Sequence, residues 1–123
     1  MALVVDYLPD KRYSRIAVVS HSLGSAMSYG YLAATPDPAI RAWVSLGMSP
    51  AENLGALKIG VLDMFGDKDL PEVLANAGKR EASLAGKAGS RQLRMAGADH
   101  FFTGMDREMV EAVSEFLKQG TAP

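Results

Sequence analysis

A chain of 123 residues with 48% hydrophobic side chains has the size and apolar content of one compact domain, and a single domain over 1–123 is expected. Charged residues make up 22% and nearly cancel to a formal net charge of −1, which gives no basic footprint for nucleic acid or an anionic membrane surface. There is no cysteine, so disulfides, thiolate metal sites and a cysteine nucleophile are excluded together.

The N-terminal apolar run, Ala2 to Val5, is short and followed by Asp6 and Asp10. It lacks the basic flank and longer apolar core of a signal peptide. No stretch approaches the roughly twenty apolar residues of a membrane helix. A cytoplasmic chain without a membrane span is the expectation.

Further along, strand-length apolar runs alternate with longer amphipathic stretches, and the joins are rich in Gly, Pro, Asp and Ser. This is the pattern of βα units around a parallel sheet. Ile16 to Ser20 is apolar up to its closing serine, without polar alternation, as expected of a strand covered on both faces. Leu23 to Ala34 reads as a helix whose small residues, Gly24, Ser25, Ala26, Ser28 and Gly30 among them, allow close approach to a sheet. Thr35-Pro36-Asp37-Pro38 stops it. Strands are predicted over 42–46 and 59–65, with a short irregular connection containing Gly47, Ser49, Pro50 and Asn53. A helix over 72–84, a Gly- and Ser-rich turn over 85–90 and a short fourth strand over 92–95 follow. The turn lacks the residue order and preceding strand of a phosphate loop. Met109, Val110, Val113, Phe116 and Leu117 then recur at helical spacing, predicting an amphipathic closing helix. Residues 120–123 are expected to fray.

Ser20-His21-Ser22-Leu23-Gly24 falls where a predicted strand turns into a predicted helix, which is the context of a nucleophile elbow. The elbow needs small residues two positions either side of the serine so that strand and helix can pack. Gly24 and Ser20 satisfy this, although glycine is usual at the position of Ser20.

A serine hydroxyl becomes a useful nucleophile only when a base takes its proton, and the base must itself be oriented. Of the two histidines, His21 sits inside the elbow and should point away from Ser22. It reads as a packed or hydrogen-bonded neighbour. His100, between the last predicted strand and helix, is the candidate base; a loop histidine capping that helix is the alternative. The orienting acid should follow the preceding strand, where Gly66-Asp67-Lys68-Asp69 lies. Asp69 is favoured and Asp67 is the runner-up. An N-cap for the helix beginning near Glu72 would account for Asp69 equally well.

The order Ser, Asp, His is that of the α/β-hydrolase family. With its Ser-His-Ser-Leu-Gly elbow, Gly-Asp-Lys-Asp turn and Gly-Ala-Asp-His-Phe-Phe loop, the stretch from Ile16 onward resembles the second half of a bacterial α/β hydrolase. The short spacings are similar to those of capless, dienelactone-hydrolase-like members. The resemblance implies a three-layer αβα fold with about four parallel strands, a partial hydrolase sheet lacking the N-terminal strands. It also implies a serine hydrolase acting on a small-molecule carboxylic ester or related acyl substrate through an acyl-enzyme, without cofactor or metal. Of the two oxyanion donors in such enzymes, only the N–H of Leu23, after the nucleophile, is present here; the other comes from an earlier loop. Loss of one donor lowers turnover by about 10² to 10³.

Without preceding strands, the nucleophile strand would be an apolar sheet edge. Self-association, or pairing with a missing N-terminal half, is therefore expected. A truncated, non-catalytic half-domain serving as an interaction module is the competing reading. Trp43 and the methionines are expected in the core, Met48 or Phe101 as candidate walls of an acyl pocket, and Lys79-Arg80 on a solvated helix face.

Overall fold

The structure is a computed structural model that describes residues 13–120. The expectations for the Ala2–Val5 run, for residues 121–123 and for Asp6 and Asp10 lie outside the described residues. The described elements follow the predicted alternation: β1 (Ile16–His21), α1 (Leu23–Ala34), β2 (Ile40–Leu46), a 3₁₀ turn (Leu54–Ala56), β3 (Gly60–Lys68), α2 (Pro71–Ser83), β4 (Arg91–Asp99) and α3 (Asp106–Gly120). The four strands form one sheet in the order β1-β2-β3-β4, every pair parallel.

The sheet is apolar on both faces, and side-chain alternation assigns each residue to one of them. In β2, Trp43 packs with Leu32 of α1, Leu54 and Leu57 of the 47–59 connection, and Leu84 after α2. Its neighbours Ala42 and Val44 face the other way, toward Phe116 and the partly buried Met109 and Val113 of α3. Helices therefore cover both faces, giving the three layers expected. The α2 contribution comes from Val73 and Ala77 against Phe65 of β3. Pro71 at the start of α2 fits a position where a missing N–H costs nothing.

Several boundaries differ from the sequence reading. β3 runs to Lys68 rather than ending at Phe65, and β4 spans 91–99 rather than four residues. The register of this pair shifts between Gly66 and Lys68, and the irregularity lets the pairing continue to Lys68 opposite Asp99. Turn-type composition at Gly66-Asp67-Lys68 disguised strand that is held by its neighbour. The closing helix also continues to Gly120.

One row across the sheet is polar. Ser20, Ser45, Asp63 and Gln92 are register partners on successive strands. Arg80 reaches down from α2 onto Asp63, with Nε donating to Oδ2 at 2.9 Å, and both side chains are fully buried. The reading of Lys79-Arg80 as a solvated pair therefore holds for Lys79, which is exposed, and fails for Arg80. Val73, Ala77 and Arg80 share the inward face of α2, so a helical periodicity that counts arginine as polar misplaces it. Gln92 adds a second hydrogen bond to Asp63 Oδ2 at 2.8 Å. Burial, partly offset by the attraction of Arg80 and by these hydrogen bonds, raises the Asp63 carboxyl above its ordinary value.

Among the described residues β1 pairs only with β2, so the strand read from its apolar run as covered on both faces stands at the sheet edge, with Val19 exposed. No helix among them is long and apolar enough to cross a membrane.

Candidate active site

The elbow is built by β1 feeding directly into α1. Ser22 stands between them at φ 57° and ψ −124°, a positive φ that L residues other than glycine seldom adopt. Its N–H donates to Leu46 O at 2.8 Å, tying the turn to the end of β2, and its carbonyl accepts from Ser25 N–H at 3.0 Å. The strained backbone thereby leaves the side chain free to project from the C-terminal ends of the parallel strands.

Ser20, where glycine is usual, has an assigned contact. Trp43 is fully buried, and its indole N–H donates to Ser20 Oγ at 2.9 Å. Ser25 Oγ, buried on the inner face of α1, donates to Ser20 O at 2.8 Å. The extra hydroxyl therefore satisfies a buried donor on the neighbouring strand, and strand and helix still pack closely. A Cβ added at Gly24 would meet nothing nearer than Ser20 Cβ at 4.0 Å, so packing at that position does not demand the glycine expected from the elbow pattern.

His100 lies in the loop after β4. Its Nε2 is 2.9 Å from Ser22 Oγ and its Nδ1 is 2.6 Å from Asp69 Oδ1. The carboxylate can only accept, so Nδ1 carries the proton and Nε2 of the neutral ring is free to accept from the Ser22 hydroxyl. Asp69 and His100 are each only 6% exposed. Asp69 Oδ1 also accepts from Leu70 N–H at 2.7 Å, and Oδ2 from Gly66 N–H at 3.4 Å. The cap of α2 is Leu70, with no side-chain cap bond, so Asp69 does not fill the alternative N-cap role. Asp67 instead accepts Gly97 N–H at 2.7 Å, an exposed tie between the ends of β3 and β4.

The His100 loop is fixed from several sides. Asp99 Oδ1 accepts from the N–H groups of Phe101 and Thr103 at 2.9 and 3.0 Å. Hydrogen bonds from Thr103, and then from Phe101, hold the Asp99 carboxyl below its ordinary range. Phe102 takes a positive φ of 55° and buries its ring in the core beneath α3. Phe101 turns outward, 74% exposed, with its ring edge toward His100 at a 5.1 Å centroid separation. Met48, the other candidate pocket wall, is fully buried in the Trp43 core and does not reach the surface.

From the sequence, Gly47 marks only the irregular connection after β2. It follows β2 at φ +60°, and a Cβ there would stand 3.0 Å from both Cε1 and Nδ1 of His100 and 3.4 Å from Asp69 Oδ2. A glycine directly after an apolar strand was the available signal. Leu23, next to Ser22, is the first residue of α1, so its N–H has no intrahelical acceptor and points where the positive end of the helix dipole lies. A cavity of about 800 Å³ opens elsewhere, among Leu32, Ile40, Leu57 and Ile59 at the other end of the strands, and no residue of this site lines it.

No protein-family model and no curated protein matches the sequence. Solved structures do match. A dienelactone hydrolase from Anabaena variabilis superposes with a TM-score of 0.77 at 24% identity, over 93% of this chain and 53% of the other. A protein from Thermoplasma acidophilum described as a predicted CIB-like hydrolase gives 0.73 at 20% identity, over 96% and 57%, and the esterase domain of a Rhodothermus marinus protein 0.68 at 12%, over 86% and 62%. The chain thus spans a little over half the length of these structures. Strand order, covering helices and these superpositions agree that the chain has the α/β-hydrolase fold, in the form of a partial hydrolase sheet.

Proposed function

We propose that this chain carries the catalytic end of a serine hydrolase that cleaves a carboxylic ester or related acyl bond, with Ser22 as nucleophile, His100 as base and Asp69 as the acid orienting it. The observation that carries the reading is the continuous chain of short contacts from Ser22 Oγ through His100 to Asp69, with the middle tautomer dictated by the carboxylate. The neighbouring structures described as hydrolases and as an esterase support the reaction class.

In the first half-reaction the Ser22 proton passes to His100 Nε2 as Oγ bonds to the substrate carbonyl carbon. The carbonyl oxygen becomes an oxyanion, held by the Leu23 N–H. The bond to the leaving group breaks, and His100 returns its proton to the departing alkoxide. In the second half, water gives a proton to His100 and its oxygen to the acyl carbon. Collapse releases the acid and restores the Ser22 hydroxyl. Asp69 stays ionised and stabilises the transient imidazolium. No cofactor or metal enters this scheme.

The experiment is labelling of the purified chain with a fluorophosphonate, mapping of the modified residue and repetition with Ser22→Ala. Labelling at Ser22 that disappears in the variant is expected. A folded wild-type chain that stays unlabelled would instead favour the second reading, a non-catalytic half-domain acting as an interaction module, for which the β1 edge, paired on one side only among the described residues, speaks.

A further inference from the structure

His21 is the last residue of β1 and, by strand alternation, lies on the same face as Ala17, opposite the face to which Val18 contributes. That face is also where the loop after β4 crosses the end of the sheet. The His21 Nε2 is 2.7 Å from the backbone carbonyl oxygen of His100. A carbonyl only accepts, so Nε2 is the protonated nitrogen. The two imidazole rings pack at a centroid separation of 4.7 Å, tilted by 43°, and the His21 ring also lies 5.7 Å from Phe101.

The ring of His100 is held at both nitrogens by Asp69 and Ser22, yet neither contact restrains its backbone. The loop's own bonds run from the N–H groups of Phe101, Phe102 and Thr103 back to Asp99, bracketing His100 without engaging its carbonyl. The His100 carbonyl is where β1, the strand that carries Ser22, reaches across to the loop that carries the base. Two groups that must keep a 2.9 Å separation are thus tied together by one hydrogen bond and one ring contact.

We infer that His21 is a positioning residue for the base, its Nε2–H holding the His100 backbone in register with the nucleophile one residue further along the elbow. The inference rests on the proposed roles of Ser22 and His100. Its effect should fall on the rate at which Ser22 reacts, because a displacement of about 1 Å in a reacting group lowers rates by about 10².

The test compares second-order rates of Ser22 modification by a fluorophosphonate in wild type, His21→Phe and His21→Gln. Phenylalanine keeps a ring against His100 and removes the donor; glutamine places an amide N–H at similar reach and removes the ring. Labelling slowed by about tenfold to a hundredfold in His21→Phe, with most of the rate kept in His21→Gln, is the expected result. Equal rates in wild type and His21→Phe would overturn the inference, as would equal losses in the two folded variants, which would make the contact one of packing alone. Nitrogen-15 NMR of the wild-type imidazoles reads the same bond without any substitution. The Nε2–H tautomer of His21 is expected, and the Nδ1–H tautomer would overturn the assignment. A folded wild-type chain unreactive at Ser22 would remove the catalytic reading itself, even if the tautomer were as expected.

Discussion

Gly47 and His100 are in contact across the end of the sheet: a single carbon added to Gly47 would come within 3.0 Å of the imidazole, at a backbone φ of +60° that disfavours any side chain. Gly47→Ala should therefore act twice. Backbone strain should lower stability by about 1–2 kcal/mol. Displacement of the ring should slow Ser22 modification by about 10². Urea denaturation measures the first effect and fluorophosphonate labelling the second. An alanine variant that labels at the wild-type rate would show that the ring yields without losing its alignment.

The Ser20 hydroxyl and the Trp43 indole form a pair that links the elbow to the core. Ser20→Ala should leave a buried N–H without that acceptor and lower stability by roughly 1–3 kcal/mol. Trp43 is the only tryptophan, so its fluorescence reports the site directly. A Trp43→Phe background should abolish most of the cost, because no donor is then stranded. Glycine, the residue usual at this place in an elbow, should also be destabilising here.

Arg80 and Asp63 offer a test that depends on pH. Arg80→Ala leaves a buried carboxylate without its counter-charge, a loss of about 3–5 kcal/mol at neutral pH. Burial already raises the Asp63 carboxyl, and the attraction of Arg80 opposes that shift. Removing the guanidinium should push the carboxyl higher still. A group whose folded-state pKa is raised contributes stability below its unfolded value, near 4 for an aspartate, and loses it as pH rises through the folded value. The deficit of Arg80→Ala relative to wild type should therefore shrink on acidification from pH 7 toward pH 5. Chemical denaturation at both values checks this, and a deficit that does not vary with pH would mean that Asp63 has relaxed into solvent.

Val19, 49% exposed on β1, lies on a strand that pairs on one side only among the described residues. Leu23 and Met27, 73% and 69% exposed at the start of α1, lie close by in sequence. We expect the purified chain to self-associate through this edge, a second copy supplying the missing ladder. Val19→Lys should shift the population toward monomer in sedimentation velocity while leaving Ser22 labelling in place. A wild-type chain that is monomeric at high concentration would remove this expectation.

Much of the architecture was written locally. The apolar run ending at Ser20, the small residues of α1 and the Pro-flanked stop after Ala34 each act over one turn or one strand, so β1, the elbow and α1 could be read from neighbouring residues alone. The amphipathic spacing from Met109 to Leu117 did the same for α3. Ser22 and His100 could be picked out as candidates because the chemistry of an elbow needs a serine in that turn, and only one histidine lay outside it. What the sequence left open depends on contacts between distant segments. Asp67 and Asp69 are two residues apart in one polar run, and the close of the β3–β4 pairing turns the first to Gly97 and the second to His100. Arg80 reads as solvated until Asp63 is found beneath it, and Gly47 and His21 acquire their contacts only when the His100 loop folds down beside them. Local patterning determines which elements form, because backbone conformation and apolar periodicity are short-range. The partner of a buried charge or of a ring nitrogen is decided by tertiary structure, because it lies on another strand or loop.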